Sequence, residues 1–440
     1  MKKLNGKYCT DCRVFIDEIE EAAEELILKI LDSPAFAGAK VRIMPDTHAG
    51  KGIVIGFTAP LSNYINPDHV GVDIGCTIDS WFTATQADTV DLVQLESDIR
   101  SLVKFGMEGH SEPQLDKNEF YHFLQTKMEE WHASWPEMIQ PVTVDAKFLS
   151  AFCRRMAQEE TMFWNSLGTV GGGNHFIEVG AHPHDGTLVY TIHCGSRNLG
   201  LKIAKYHARQ ADDATTTLEF QQKLNTLIAS YKASGRQKEI QQAIREFTKS
   251  YVSTVPAGYL TDEKMSAYLT DMAIGLAYAL YNHEVISRLV MKALRRQDPE
   301  AKVTDMVRSI HNYVDFTDHI IRKGAVRSYE GERLVIPFNM RDGLAICRGK
   351  SNPDWNCSAP HGAGRVMSRA AAKEKLSVEE FRHQMKGIVS TSVGIGTIDE
   401  APGAYKDTEL VMSLIHDTCD IEYLIRPLIN LKDKNTAEIE

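Results

Sequence analysis

Residues 168–200 read GTVGGGNHFIEVGAHPHDGTLVYTIHCGSRNLG: two apolar runs, FIEV and LVYTIH, each set against a glycine-rich loop and a histidine. Short β-branched and aromatic runs bounded by Gly, Asn and Ser are strand signals, and a strand beside such a loop can aim side chains and backbone amides at a ligand. The same texture fills residues 41–78, as in IVIGFTAPL, and returns at VRSYEGERLVIPFNM, residues 326–340.

Around these strands the period changes to that of helices. Ile16, Ile19, Ala23, Leu26, Ile27 and Ile30 fall at helical spacing with Pro34 as a stop, which predicts an amphipathic helix over 13–31. A mainly helical stretch is expected at about 199–297, built from two long periodic segments, with shorter helices near 377–388 and 408–424. The preferred reading is a single large α+β domain, 1–440, with strands on either side of a helical middle.

Composition narrows the function. The chain has 440 residues, 43% hydrophobic and 25% charged, so it can bury a full core without disulfide staples. A formal charge of −10 argues against coating nucleic acid by bulk electrostatics, although a local basic groove remains open. The first residues lack a signal-peptide core, and no stretch reaches the roughly 18 apolar residues of a membrane span. A cytoplasmic protein with no membrane partner is expected, with its eight cysteines reduced. Cys9-x-x-Cys12 has no second pair at zinc-ribbon spacing and reads as packing. His110, His122, His132, His182 and His184 read as surface residues.

The chemistry lies in the loops. Asp73, Cys76, His175, His193 and His311 make a mixed O, S and N set suited to borderline divalent ions, and a thiolate can bridge two of them. Taken singly, each also reads as ordinary packing. Gly171, Gly172 and Gly173 leave amides free to approach an anion, while Arg197, Lys323, Arg365 and Arg369 supply cations. Tight turns with solvated charges are the bland alternative, and neither a Walker A nor a dinucleotide fingerprint is present.

Together the loops resemble the RtcB-type RNA ligase family, with a lean toward a divergent bacterial branch associated with release factor H. The likeness rests on MPDTHAGKG (44–52), GVDIGC (71–76), GGGNHFIEV (171–179), HCGSR (193–197), His311-Asn312, RKGA (322–325), SAPHGAGRVMSR (358–369) and AYKD (404–407), in the family's order. It implies an RtcB-like fold of central antiparallel sheets flanked by helices. It also implies joining of RNA ends that carry a 3′-phosphate or 2′,3′-cyclic phosphate to 5′-hydroxyl ends, with GTP and two Mn²⁺ ions, in RNA repair or tRNA processing. Archease or release factor H would be candidate partners.

Carried over by position, the resemblance gives one ion to Asp73, Cys76 and His175 and a second to Cys76, His193 and His311. His361 would be the nucleophile that takes GMP from GTP. Asn174, Glu178, Asn339, Ala363, Gly364, Tyr405 and Lys432 would surround the nucleotide, and Arg197, Lys323, Arg365 and Arg369 would face RNA phosphates. The same ligand set can take Zn²⁺ or Co²⁺. Three departures stand out: Ile321 where the family commonly has histidine, Asn339 in the turn Pro337-Phe338-Asn339-Met340, and Leu344 where a serine is usual. A metal-dependent phosphoesterase that opens cyclic ends without joining them, and an RNA-binding protein without turnover, are the competing readings.

Overall fold

The computed structural model describes residues 1–211, 218–250 and 258–434. Two sheets organise them. The larger has seven strands in the spatial order Val303–Ile310, Thr77–Gln86, Thr187–Cys194, Phe176–Ala181, Cys419–Leu431, Gly343–Gly349 and Arg333–Asn339. Every pairing in it is antiparallel. The smaller runs Lys2–Leu4, Asp11–Val14, Lys40–His48, Ile55–Pro60, Ile320–Lys323 and Tyr313–Val314. Its one parallel pairing joins Asp11–Val14 to Lys40–His48. Helices cover these sheets, so the α+β class read from the residues, with the antiparallel sheets that the resemblance implies, is the one observed.

The longest helix, Asp262–Leu294, spans 33 residues, or about 50 Å at 1.5 Å per residue. Its Ala, Leu and Met content favours helix, and it is buried along most of its length against the large sheet and neighbouring helices. Two polar side chains on it face inward for a reason. Asn282 accepts from the Gly168 amide at 2.7 Å and donates to the Thr169 carbonyl at 3.1 Å, while His283 Nε2 lies 2.9 Å from the Cys194 carbonyl. The helix thereby holds both glycine-rich loops from beneath.

The helix expected over 13–31 is shorter and later, Glu21–Leu31. Residues Asp11–Val14 join the sheet instead, because pairing with Lys40–Ile43 satisfies their backbone groups and overrides local propensity. The helix expected over 408–424 ends at Leu414, and Cys419–Leu431 is a 13-residue strand between Phe176–Ala181 and Gly343–Gly349. In the middle of the chain helices occupy Arg197–Ala211, Leu218–Ala233, Ile240–Ser250 and Asp262–Leu294, the first long periodic segment being broken near Gly235. Residues 212–217 and 251–257 of that stretch lie outside the described residues. The helix near 377–388 is Val378–Gln384. No helix among the described residues is long and apolar enough to cross a membrane.

His110 is a correction: it is buried, with Nε2 3.0 Å from the Gly168 carbonyl, because the segment after Phe105 folds under the 168–170 loop. His122 and His184 are exposed, and His132 and His182 are half-buried. Cys9 and Cys12 are buried in the core, and all eight cysteines are unpaired thiols.

Candidate metal and nucleotide centre

One cavity of about 1240 Å³ opens where the ends of the two sheets meet. Asp73 and Cys76 enter it from the turn before strand Thr77–Gln86, His193 from the end of Thr187–Cys194, and His311 from just beyond Val303–Ile310. Sheet register sets their spacing: Ile78 is opposite His193, Phe176 is opposite His193, and the His311 amide donates to the Cys76 carbonyl at 2.8 Å.

His175 Nε2 is 2.9 Å from Asp73 Oδ2 and 3.4 Å from Cys76 Sγ. The ligand atoms of Cys76, His175 and His193 all lie within 4.8 Å of one another. From there the imidazoles form a row, with centroid separations of 5.2 Å from His175 to His193, 5.4 Å on to His311 and 4.7 Å on to His361. Glycine is required around them. A Cβ on Gly195 would sit 2.1 Å from Asp73 Oδ1, and one on Gly171 would sit 2.1 Å from His175 Nδ1.

This set fits divalent cations. His193 Nε2 and His311 Nδ1 are buried without hydrogen-bond partners, which is costly unless something else engages them. Burial pushes both imidazoles far below their ordinary value, keeping them neutral, the form that binds metal. Burial and the neighbouring Asp73 carboxylate push the Cys76 thiol up; a cation between them would reverse that logic and favour the thiolate. Burial opposes ionisation of Asp73 too, yet His175 holds its carboxyl below the usual range.

His361 follows strand Ser358–Pro360, and its Nδ1 is 2.7 Å from Oδ2 of the fully buried Asp46. The carboxylate accepts Nδ1–H and so fixes the tautomer that leaves Nε2 with a lone pair. The motif around Asp46 is legible in the sequence, but the role of its carboxylate is not. A carboxylate two residues before His48, at the end of a strand that runs into Gly50 and Gly52, was the available signal. Asn312 was also missed; its side chain donates to the Asp73 carbonyl at 3.1 Å and accepts from the Gly324 amide at 2.9 Å.

Asn174, Glu178, Asn339, Ala363, Gly364, Tyr405 and Lys432 all line the same cavity. Glu178 Oε2 accepts from Asn430 at 2.9 Å, its Oε1 is buried without a partner, and burial raises the carboxyl to about 8. Glu400, unassigned from sequence, gathers the cations of this lobe. It accepts from Arg369 at 2.6 Å, Lys432 at 3.0 Å, Arg365 at 3.4 Å and the Tyr405 hydroxyl at 2.6 Å. Burial opposes its charge, but Lys432, Arg369 and Arg365 hold the carboxyl far below the usual range. Ile321 and Leu344 are buried in apolar packing and do not line the cavity, whereas Asn339 does and hydrogen-bonds Asp342 at 2.7 Å.

The four expected phosphate contacts separate. Arg197 and Arg369 line the cavity with partly exposed side chains, although Arg197 also donates to Thr169 and the Gly106 carbonyl and Arg369 to Asp399 and Glu400, both at 2.6 Å. Arg365 lines it too, but is committed to the Met367 and Asp399 carbonyls and to Glu400. Lys323 does not line it: its ammonium is buried and donates to the carbonyls of Lys51 at 2.7 Å and Asp68 at 2.8 Å.

Comparison with known proteins gives one consistent answer. A family model described as tRNA-splicing ligase RtcB matches residues 31–433. The chain is similar to the RNA-splicing ligase RtcB of Escherichia coli K12, 29% identical over 434 residues that cover 94% of this chain and 95% of that protein. It is also similar to the tRNA-splicing ligase RtcB of Methanococcus maripaludis, at 26% identity over 92% and 91% of the two chains, and to that of Aeropyrum pernix, at 26% over 85% and 83%.

Proposed function

Because the chain belongs to the RtcB family, whose model spans residues 31–433, we propose that it is a GTP-dependent RNA ligase acting on 3′-phosphate or 2′,3′-cyclic phosphate ends and 5′-hydroxyl ends. The observation that carries the reading is the row of imidazoles: it begins at Asp73 and Cys76 and ends at His361, oriented by Asp46, inside one cavity. Asp73, Cys76 and His175 would hold one Mn²⁺, and Cys76, His193 and His311 a second, with Cys76 shared. Such ions polarise phosphoryl oxygens and offset their charge.

His361 Nε2 attacks the α-phosphorus of GTP; a P–N bond forms, the α–β phosphoanhydride breaks, and pyrophosphate leaves. Asp46 keeps the proton on Nδ1 and stabilises the cationic ring of the adduct. The RNA 3′-phosphate then takes GMP from His361, restoring the imidazole. This supplies the leaving group that a bare phosphate lacks, so the 5′-hydroxyl can attack and expel GMP. A cyclic end is first hydrolysed to the 3′-phosphate. Glu178 and Lys432 face the guanine, while Arg197 and Arg369 are the cations with exposure to meet RNA phosphate.

The test is incubation of the protein with radiolabelled GTP and Mn²⁺, then with RNA fragments bearing each end type. An acid-labile adduct that His361→Ala abolishes, and joined RNA, are expected. Opened cyclic ends with no adduct and no joined product would replace the ligase with a phosphodiesterase.

A further inference from the structure

We infer that Lys406, in the AYKD segment, is a positioning residue for guanylyl transfer that acts through Asp46; the inference rests on the reading of His361 as nucleophile. Asp46 lies in strand Lys40–His48 where the ladder is broken: the pairing with Ile55–Pro60 jumps from Ile43 opposite Phe57 to His48 opposite Ile55. Pro45 has no amide to donate. The stretch that presents the carboxylate to His361 therefore needs support from outside the sheet.

Lys406 gives that support on both sides of Asp46. Its ammonium donates to the Pro45 carbonyl at 2.8 Å and the Thr47 carbonyl at 2.7 Å, while its own backbone amide donates to Gly364 at 2.9 Å. Gly364, at φ +75°, packs so closely that a Cβ there would lie 2.0 Å from the Asp46 carbonyl oxygen. One residue thus ties the Asp46 segment to the loop that carries His361. The 2.7 Å contact between Asp46 Oδ2 and His361 Nδ1 depends on both sides being fixed.

The experiment measures single-turnover adduct formation with radiolabelled GTP and Mn²⁺ in the full-length protein, alongside GTP affinity and bound metal. Lys406→Met should slow adduct formation at saturating GTP on the order of 10–100-fold, as small misplacements of reacting groups do. GTP affinity and metal content should stay at wild-type levels, and Lys406→Arg should recover part of the rate. Lys350→Met, which removes a similar lysine-to-carbonyl bond (His416, 2.6 Å) elsewhere, should leave the rate unchanged. In an Asp46→Asn background, Lys406→Met should add no further loss, because residues acting as one unit are not additive.

Multiplying losses in the double variant, or a wild-type rate in Lys406→Met while His361→Ala forms no adduct, overturns the inference. An adduct that survives His361→Ala overturns instead the reading beneath it. If Lys406→Met does not fold, Lys406→Arg carries the test: a slower step at unchanged GTP affinity supports the role, and weakened affinity at unchanged rate refutes it.

Discussion

Replacing Glu178 with glutamine should uncouple guanine-nucleotide affinity from pH. Glu178 sits on strand Phe176–Ala181 opposite Asn430, and burial lifts its carboxyl to about 8 from an ordinary 4.5, Asn430 and Lys432 pulling the other way. At pH 7 about a tenth of the ligand-free protein then carries the carboxylate that guanine's N–H groups need as acceptor. Affinity for GTP should be about tenfold below its plateau at pH 7 and should improve about eightfold by pH 8.5. The Gln variant, with no proton to lose, should bind with a flat profile over this range.

The same group links pH to stability. Its folded value lies above its unfolded value, so its contribution is fully favourable below pH 4.5 and declines as pH rises toward 8. Between pH 4.5 and pH 7 the unfolding free energy of the Gln variant should gain on that of the wild type by about 3 kcal/mol. Calorimetric GTP titrations and urea unfolding at several pH values test both. Nucleotide binding that is pH-independent in the wild type, or that titrates identically in Glu178→Gln, would refute the reasoning.

Other outcomes follow from the site's construction. Cys76→Ala should lose bound metal, measured by elemental analysis, whereas His361→Ala should keep it and lose only the nucleotide adduct. Gly195→Ala forces a Cβ to within 2.1 Å of Asp73 Oδ1 and should lower metal content without replacing any candidate ligand. Asp46→Asn should slow adduct formation by about 10²–10⁴-fold at unchanged metal content, since the amide favours the wrong imidazole tautomer. Arg369→Ala should reduce the salt dependence of RNA binding by about one phosphate contact, while Lys323→Met should lower the melting temperature and leave that slope unchanged.

The fold class was legible because the apolar runs at 188–194 and 334–338 are too short and too β-branched for helices, and residues 262–294 too long and too regular for anything else. The early residues misled because Val14 to Ile30 carries a helical period, while the pairing that claims Asp11–Val14 is with a strand beginning at Lys40. The candidate metal ligands Asp73, Cys76 and His175 stood out as polar residues in or beside glycine-rich loops. Asp46 did not, since its meaning depends on His361, 315 positions away. Charge was equally ambiguous: Lys323 and Arg365 read as phosphate contacts, but sequence gives a cation without naming the carbonyls and carboxylate that already engage it.

The strand Cys419–Leu431 comes last in chain order among the described strands, yet it occupies an interior position in the larger sheet and leads directly into Lys432. The hydrogen-bond ladder between the two halves of that sheet is completed by this strand, which pairs with Phe176–Ala181 on one side and Gly343–Gly349 on the other. Cys76, His175, His193 and His311 all precede this strand in the chain, whereas Lys432, which donates to Glu400 at 3.0 Å, takes its place from it.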